Sequence, residues 1–264
     1  MTMFFRADAY ERYMGRWSRL VAPALVTFAE VRDGDTVLDV GSGTGVLSFA
    51  VRDATTSGHI TGVDPSPEYV SYAIRETSNG RVHFEVGQAE DLRFPDAAFD
   101  RALSLLAVNF IPDPARALRE MARVTRPGGV VAAAVWDYAE GMAMLRVFWD
   151  EAIGFDPSIE AQDEGHMPLC KRGELAGLWR QQGLDDVQET ALTATLHFTS
   201  FDDYWFPFQL GQGPAGAYVA GLSTDRQAAL EQRIRRRLLG GGSDGAFDLQ
   251  ARAWAVKGTV LFVP

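Results

Sequence analysis

The sequence is poor in cysteine, histidine and positive charge. Its one cysteine, Cys170, has no partner for an internal disulfide, and its four histidines form no Cys/His group with the spacing of a structural zinc site. Lys and Arg number 25 against 35 Asp and Glu, and the resulting net charge of −10 opposes binding to a phosphate backbone. The composition therefore argues against a disulfide scaffold, a structural metal site and nucleic acid as a partner.

Long apolar runs are also absent. No stretch approaches the roughly 18 uncharged apolar residues of a membrane-spanning helix. The first residues include Arg6, Asp8, Glu11 and Arg12, where a signal peptide needs an apolar core. Together with the single cysteine, these features predict a cytoplasmic protein without a membrane partner. The 264 residues are 47% hydrophobic, which is enough to build one sizeable core.

Strand and helix patterns alternate through the first half of the chain. Apolar periodicity and turn residues predict strands over 36–40, 59–64, 81–86, 100–106 and 130–136, and helices over 18–30, 46–52, 67–77 and 114–125. Because such alternation is typical of strands joined by crossover helices, it predicts a doubly wound α/β fold with a parallel sheet.

The second half is less regular. A helix near 142–149 and a loop over 154–168 form a first insertion. A helix over 173–182 and strands over 187–198 and 247–262 continue the sheet. The segment 200–245 is a second insertion that contains an aromatic run, a Gly/Pro-rich stretch and one amphipathic helix. We interpret the chain as one domain with two insertions.

A glycine-rich turn follows the first strand. Gly41, Gly43 and Gly45 can let a ligand approach the backbone, because glycine has no side chain and tolerates positive φ. Their GxGxG spacing differs from the GxGxxG that binds a dinucleotide pyrophosphate. Asp39, two residues before the turn, would repel phosphate and suits an ammonium group. Asp64, about 20 residues further on, can accept hydrogen bonds from ribose hydroxyls.

Each of these features alone has a structural alternative. A GxG turn can be a tight loop, and an aspartate at a strand end can cap the next helix. Their occurrence in this order instead favours a ligand that carries a ribose and an ammonium group.

Five segments resemble, in order, the motifs of a known family. They are 37–45 (VLDVGSGTG), 62–64 (GVD), 87–95 (GQAEDLRFP), 99–100 (FD) and 126–129 (RPGG). The family is the class I S-adenosylmethionine-dependent methyltransferases, of the small-molecule type often labelled type 11. The resemblance implies a Rossmann-like seven-stranded sheet with an antiparallel last strand and a cofactor-binding core over 35–136 after an N-terminal helical segment (1–34). It also implies helical insertions, over 137–170 and 200–245, that cover the acceptor site.

The resemblance also implies a role for individual residues. Asp39 would face the ammonium group of S-adenosylmethionine, Asp64 would accept from the ribose, and Pro65 would border the adenine. Gln88 stands where the family commonly has an aspartate that accepts from the adenine amino group, and its amide oxygen can still accept. The full set of expected cofactor-binding residues is Asp39, Gly41, Ser42, Gly43, Thr44, Gly45, Asp64, Pro65, Gln88, Ala89, Glu90 and Leu105.

No catalytic residue or metal ligand is evident. Methyl transfer from a sulfonium is an in-line displacement, so a general base is optional. Candidates are Asp137, Tyr138, His166 and His197, each of which could instead cap a helix, pack in the core or face solvent.

Two aromatic groups and one basic group have open interpretations. Tyr10, Tyr13, Met14 and Trp17 either fold over the cofactor or pack in the core. Trp205, Phe206 and Phe208 either line an acceptor pocket or pack in the core. Arg233, Arg235, Arg236 and Arg237 are more typical of a solvated helix face than of an anion site.

These observations predict transfer of the methyl group of S-adenosylmethionine to a small organic acceptor, leaving S-adenosylhomocysteine. Three alternatives stay open: a nicotinamide-dependent oxidoreductase, a noncatalytic protein that binds the same cofactor, and a chain that keeps the fold without a cofactor. The acceptor, the methylated atom and the oligomeric state do not follow from the sequence.

Overall fold

The computed structural model describes residues 7–77 and 80–261. A seven-stranded sheet has the strand order β3-β2-β1-β4-β5-β7-β6. The strands are β1 (Thr36–Val40), β2 (His59–Asp64), β3 (Val82–Val86), β4 (Phe99–Leu105), β5 (Thr125–Trp136), β6 (Asp185–Phe198) and β7 (Phe247–Thr259). The strands β1 to β5 pair in parallel. The N–H of Gly128 donates to the carbonyl of Val260, and the N–H of Val260 donates to the carbonyl of Gly129, as β7 runs antiparallel to β5. This topology confirms the predicted Rossmann-like fold.

The described residues contain ten α-helices. They are α1 (Ala7–Tyr10), α2 (Arg16–Phe28), α3 (Val46–Ala54), α4 (Pro67–Glu76), α5 (Pro114–Val124), α6 (Ala143–Phe155), α7 (Glu174–Gln181), α8 (Phe201–Gln209), α9 (Gly213–Gly221) and α10 (Thr224–Leu239). A π-helical turn (Glu11–Gly15) joins α1 to α2, and 3₁₀-helices span Pro157–Gln162 and Glu164–His166. Within this part of the chain, no helix combines the length and the apolarity needed to cross a membrane.

Helix starts follow the expected capping chemistry. The Ser66 hydroxyl accepts from the backbone N–H of Tyr69 at the start of α4, and the Asp113 carboxylate does the same for Arg116 at the start of α5. A proline occupies the first turn of both helices, where its missing N–H costs no hydrogen bond. These local signals explain why the predicted starts of both helices are confirmed.

Two predictions about local structure are wrong. First, β5 begins at Thr125, not at residue 130, because Gly128 and Gly129 pair with Val260 although their sequence suggests a turn. Second, the segment 154–168 is not a plain loop, since it contains the end of α6 and two 3₁₀-helices. The aromatic and Gly/Pro-rich parts of 200–245, for which no individual element was predicted, form the helices α8 and α9. The predicted end of the last strand at residue 262 lies outside the described residues.

The chain divides into two compact units. The sheet unit comprises residues 15–135, 168–192 and 253–264, and the helical unit comprises residues 1–14, 136–167 and 193–252. In the sheet unit the centre of the sheet is apolar and fully buried, with Val37, Leu38, Leu103 and Val131 among its residues. Trp179 of α7 packs there too, and its indole N–H donates to the carbonyl of Val131 at 2.9 Å.

Candidate functional site

Asp39 is buried near the carboxyl end of β1, and one of its oxygens is unpartnered. Oδ2 accepts from the backbone N–H of Ser48 at 3.0 Å and from the Ser48 hydroxyl at 2.7 Å. Among the described residues, Oδ1 has no hydrogen-bond partner. Burial raises the pKa of Asp39 from 3.8 to about 7, against the hydrogen bonds from Ser48, which lower it. A buried carboxyl oxygen that the chain does not satisfy is an acceptor for a ligand N–H group.

The glycine turn next to Asp39 leaves open space at one position. Gly41 and Gly43 have φ angles of +71° and +53°. A Cβ at Gly41 would lie 2.5 Å from the Cβ of Ala107, whereas a Cβ at Gly43 would meet nothing within 4 Å. Gly41 is therefore required by the packing of the turn. The space beside Gly43 is where a ligand can reach the backbone.

Asp64 connects the end of β2 to this turn. Its Oδ2 accepts from the backbone N–H of Gly43 at 2.9 Å, and its Oδ1 accepts from that of Ser66 at 2.8 Å. Burial raises the pKa of Asp64 above its ordinary value, while these two hydrogen bonds lower it. Each carboxylate oxygen keeps a second lone pair, so Asp64 can still accept from hydroxyl groups.

The remaining predicted cofactor residues lie in the same unit, at the same edge of the sheet. Parallel pairing places Asp39 beside Gly62 and Leu103, and Asp64 beside Val86. Ser42, Thr44, Gly45, Ala89 and Leu105 are buried, Glu90 is partly buried, and Pro65 and Gln88 are exposed. The Ser42 hydroxyl has no hydrogen-bond partner among the described residues. The carboxyl ends of β1 to β4 thus bring together residues that are distant in the sequence, since Asp39 and Leu105 are 66 positions apart.

This arrangement occurs within a segment that has known relatives. Residues 38–133 match the family model described as a methyltransferase domain. This part of the chain is therefore similar to methyltransferase domains. The match covers β1 to β5 almost completely, and with them Asp39, the glycine turn and Asp64.

Two curated relatives of the chain carry methyltransferase names. The chain is 35% identical over 109 residues to the ubiquinone/menaquinone biosynthesis C-methyltransferase UbiE of Bdellovibrio bacteriovorus, a match that covers 40% of this chain and 46% of that protein. It is 38% identical over 125 residues to the malonyl-[acyl-carrier protein] O-methyltransferase of Erwinia billingiae, covering 47% and 48%. The chain thus spans less than half the length of these relatives.

A solved structure shares the fold of the whole chain. Phosphoethanolamine N-methyltransferase 2 of Haemonchus contortus, in complex with S-adenosyl-L-methionine, aligns with a TM-score of 0.59 at 16% identity. The alignment covers 97% of this chain and 57% of that one. At this identity the likeness concerns the fold alone.

The four candidate bases outside the methyltransferase domain lie in the helical unit. Asp137 is buried, and its carboxylate accepts from Arg252 Nε at 2.9 Å and from the backbone N–H of Glu140 at 3.0 Å, so it stabilises a turn. Tyr138 is buried, whereas His166 is exposed. His197 is exposed and lies 2.7 Å from Asp248. Asp137 and His197 are thus each held by a charged partner.

The aromatic candidates are mostly buried, and the basic candidates are mostly ion-paired. Tyr13, Met14 and Trp17 are buried, as are Trp205 and Phe208, whereas Tyr10 is partly exposed and Phe206 is 46% exposed. Three arginines of α10 form ion pairs with neighbouring acids: Arg233 with Glu151, Arg235 with Asp244, and Arg237 with Asp150 and Glu151. Arg236 lies on the same partly exposed helix. The basic run is therefore an ion-paired surface, as the solvated-face interpretation predicts.

Sequence reasoning missed two residues. Ser48, which holds Asp39, lies nine positions further along in α3, and a hydroxyl in the first turn of that helix was a usable signal. Glu164 lies in a polar run that is typical of a surface loop, yet it is only 4% exposed. Nothing in the sequence around Glu164 indicates this burial.

Proposed function

We propose that the chain transfers the methyl group of S-adenosylmethionine to a small-molecule acceptor, leaving S-adenosylhomocysteine. The observation that carries this proposal is the unpartnered Oδ1 of buried Asp39 beside the open space at Gly43, within a methyltransferase domain. A carboxyl oxygen in that position suits the ammonium group of the methionine part. It would repel the pyrophosphate of a nicotinamide cofactor.

The other residues of this edge fit the rest of the same cofactor. The free lone pairs of Asp64 suit the ribose hydroxyls, and the amide of Gln88 and the ring of Pro65 suit the adenine. Ser42, Thr44, Gly41, Gly45, Ala89, Glu90 and Leu105 complete the proposed binding set. When bound, the cofactor supplies a methyl group on a positively charged sulfur.

The chain's own contribution is then to position the acceptor and to exclude water. We assign the positioning of the acceptor to the two insertions over 137–170 and 200–245. The relatives act, by their names, on chemically different compounds, so their names do not transfer an acceptor to this chain. A small-molecule acceptor, a cytoplasmic location and the absence of a nucleic-acid partner are parts of the proposal that rest on the composition and on these relatives.

Calorimetry and a labelling assay test the proposal. S-adenosylhomocysteine is expected to bind the purified chain, and NAD is not. Incubation with S-adenosylmethionine labelled in its methyl group and a metabolite extract is expected to yield a labelled product, which mass spectrometry identifies. Binding without any labelled product would favour the noncatalytic alternative, and tighter binding of NAD would refute the proposal.

A further inference from the structure

The helical unit contains a buried carboxyl group that the proposed cofactor site does not use. Glu164 is 4% exposed, and its Oε2 accepts from the indole N–H of Trp149 at 2.8 Å. Among the described residues, no basic side chain forms an ion pair with Glu164. Arg146, whose charge acts on Glu164, is already bonded through both terminal nitrogens to Asp163. If ionised, the Glu164 carboxylate has one N–H donor and no counter-ion.

The helical unit contains a second buried polar group, the hydroxyl of Tyr13. Tyr13 is 1% exposed, and its hydroxyl has no hydrogen-bond partner among the described residues. Burial raises the pKa of Tyr13 well above its ordinary value, and the charge of Glu164 raises it further, as do Tyr138 and Tyr204. Because buried polar groups are nearly always satisfied, an unpartnered hydroxyl indicates a partner from outside the polypeptide.

A continuous run of aromatic contacts connects Tyr13 to Trp149, the donor to Glu164. Phe148 stacks on Phe208 with ring centres 4.7 Å apart, and Tyr13 packs against the edge of Phe208 at 5.5 Å. Trp149, the donor to Glu164, contacts the rings of Phe148 and Tyr218. Aromatic rings attract cations and also pack well against hydrocarbon.

We propose that Glu164 and Tyr13 bind the ammonium group of an organic amine, whose hydrocarbon part packs among these aromatic residues. A cation is the ligand that compensates the buried carboxylate, whereas a neutral alcohol leaves its charge unbalanced and an anion is repelled. That the amine is the methyl acceptor rests on the proposed function. The binding of the amine does not depend on the proposed function.

Two probes of the same shape test the charge requirement. We suggest titrating 2-phenylethylamine and 2-phenylethanol into the full chain at pH 8, where the amine is protonated and the carboxylate ionised. The amine is expected to bind at least about tenfold tighter than the alcohol, as a charge-assisted contact requires. Equal affinities, or no binding of the amine to folded protein, would overturn the proposal.

Variants assign this preference to the two residues. Glu164→Gln is expected to lower the affinity for the amine at least about tenfold and to leave that for the alcohol nearly unchanged. Glu160→Gln removes an exposed carboxylate from the same unit and is expected to change neither affinity. An equal loss in both variants would contradict a specific site. Thermal unfolding shows whether each variant is folded. If Glu164→Gln does not fold, Tyr13→Phe tests the site instead. It is expected to weaken amine binding about threefold or more.

Titration with S-adenosylhomocysteine in the same samples separates this proposal from the proposed function. Wild type and Glu164→Gln are expected to bind it equally, because its proposed contacts are all in the sheet unit. If neither form bound it, the proposed function would be wrong, and the amine titrations would still decide whether Glu164 and Tyr13 form an ammonium site.

Discussion

Ser48 donates two hydrogen bonds to a single oxygen of Asp39, and the other oxygen of that carboxyl group is left open. The backbone N–H and the hydroxyl of Ser48 lie 3.0 and 2.7 Å from Oδ2. Because both donors come from the first turn of α3, the carboxyl group is held in one orientation. The strand and the following helix thus present one acceptor atom beside the glycine turn.

We expect Asp39→Asn to lower the affinity for S-adenosylhomocysteine by about 1.5–3 kcal/mol, or more than tenfold. The substitution keeps the shape of the side chain and removes its charge, so a contact with an ammonium group is weakened. Isothermal titration measures the change. Asp53→Asn, at an exposed position near the end of the same helix, is the matched control and is expected to bind normally. Unchanged affinity in Asp39→Asn would exclude the ammonium contact.

Asp64→Ala is expected to weaken binding of the same ligand by about 1–3 kcal/mol, since the ribose loses a charged acceptor. The substitution also removes the acceptor for the N–H groups of Gly43 and Ser66. The free energy of unfolding of the Asp64→Ala variant is therefore expected to fall as well. Asp64→Asn, which keeps a carbonyl oxygen, separates the two effects. If both variants bound as wild type in calorimetry, the ribose role would be refuted.

Substitutions of two glycines in the turn should have different consequences. Gly41→Ala would place its Cβ 2.5 Å from the Cβ of Ala107, so we expect it to lower the free energy of unfolding by about 1–3 kcal/mol. Gly43→Val meets no neighbouring atom at its Cβ, but a branched side chain would occupy the open space and resist positive φ. We expect a folded protein that does not bind S-adenosylhomocysteine. Normal binding in Gly43→Val, with native circular dichroism, would argue against this site.

Stability is expected to fall as the pH rises from about 5 to 8. Burial raises the pKa of both Asp39 and Glu164 to about 7, well above their values of 3.8 and 4.5 in an unfolded chain. At pH values between the unfolded and the folded pKa of each group, the folded state binds more protons than the unfolded state. Each group therefore contributes stability that is complete below about pH 4 and is lost as the pH rises to about 7, on the order of 2 kcal/mol over this range.

Thermal unfolding at several pH values checks this prediction. The acids whose pKa is lowered, such as Glu30 and Asp100, act in the opposite direction, but mostly below pH 5. Asp39→Asn and Glu164→Gln should each flatten the dependence between pH 5 and 8. A melting temperature that rises over this interval would show that the two groups are ionised in the folded protein.

Trp205→Ala decides between the two interpretations of the aromatic run in α8. Trp205 is 3% exposed and contacts Phe201 and Phe208. Loss of this side chain is expected to lower the free energy of unfolding by about 3–5 kcal/mol. Phe206→Ala, the neighbouring and largely exposed position, is expected to change it by about 0.5 kcal/mol or less. Similar denaturation midpoints for the two variants would instead indicate that Trp205 lines an open pocket.

The sequence alone was sufficient for the sheet core, because the signals there are local. Apolar strands, capping residues such as Ser66 and Asp113, and the glycines after β1 act through neighbouring residues or through a repeated pattern. The positions of Asp39 near one strand end and Asp64 at the next follow directly from those strands.

Tertiary contacts decided the rest. The strand β5 begins early because Gly128 and Gly129 pair with Val260, more than 120 positions away in the sequence. Helix α8 contains Pro207, and α9 begins in a glycine-rich stretch, so the local helix preference opposes both helices. Helix α8 forms where its own residues Tyr204 and Phe208 become buried. The burial of Glu164 likewise depends on the Trp149 indole and the rings around it. These features arise because burial and pairing with distant residues contribute more free energy than the local preferences they override.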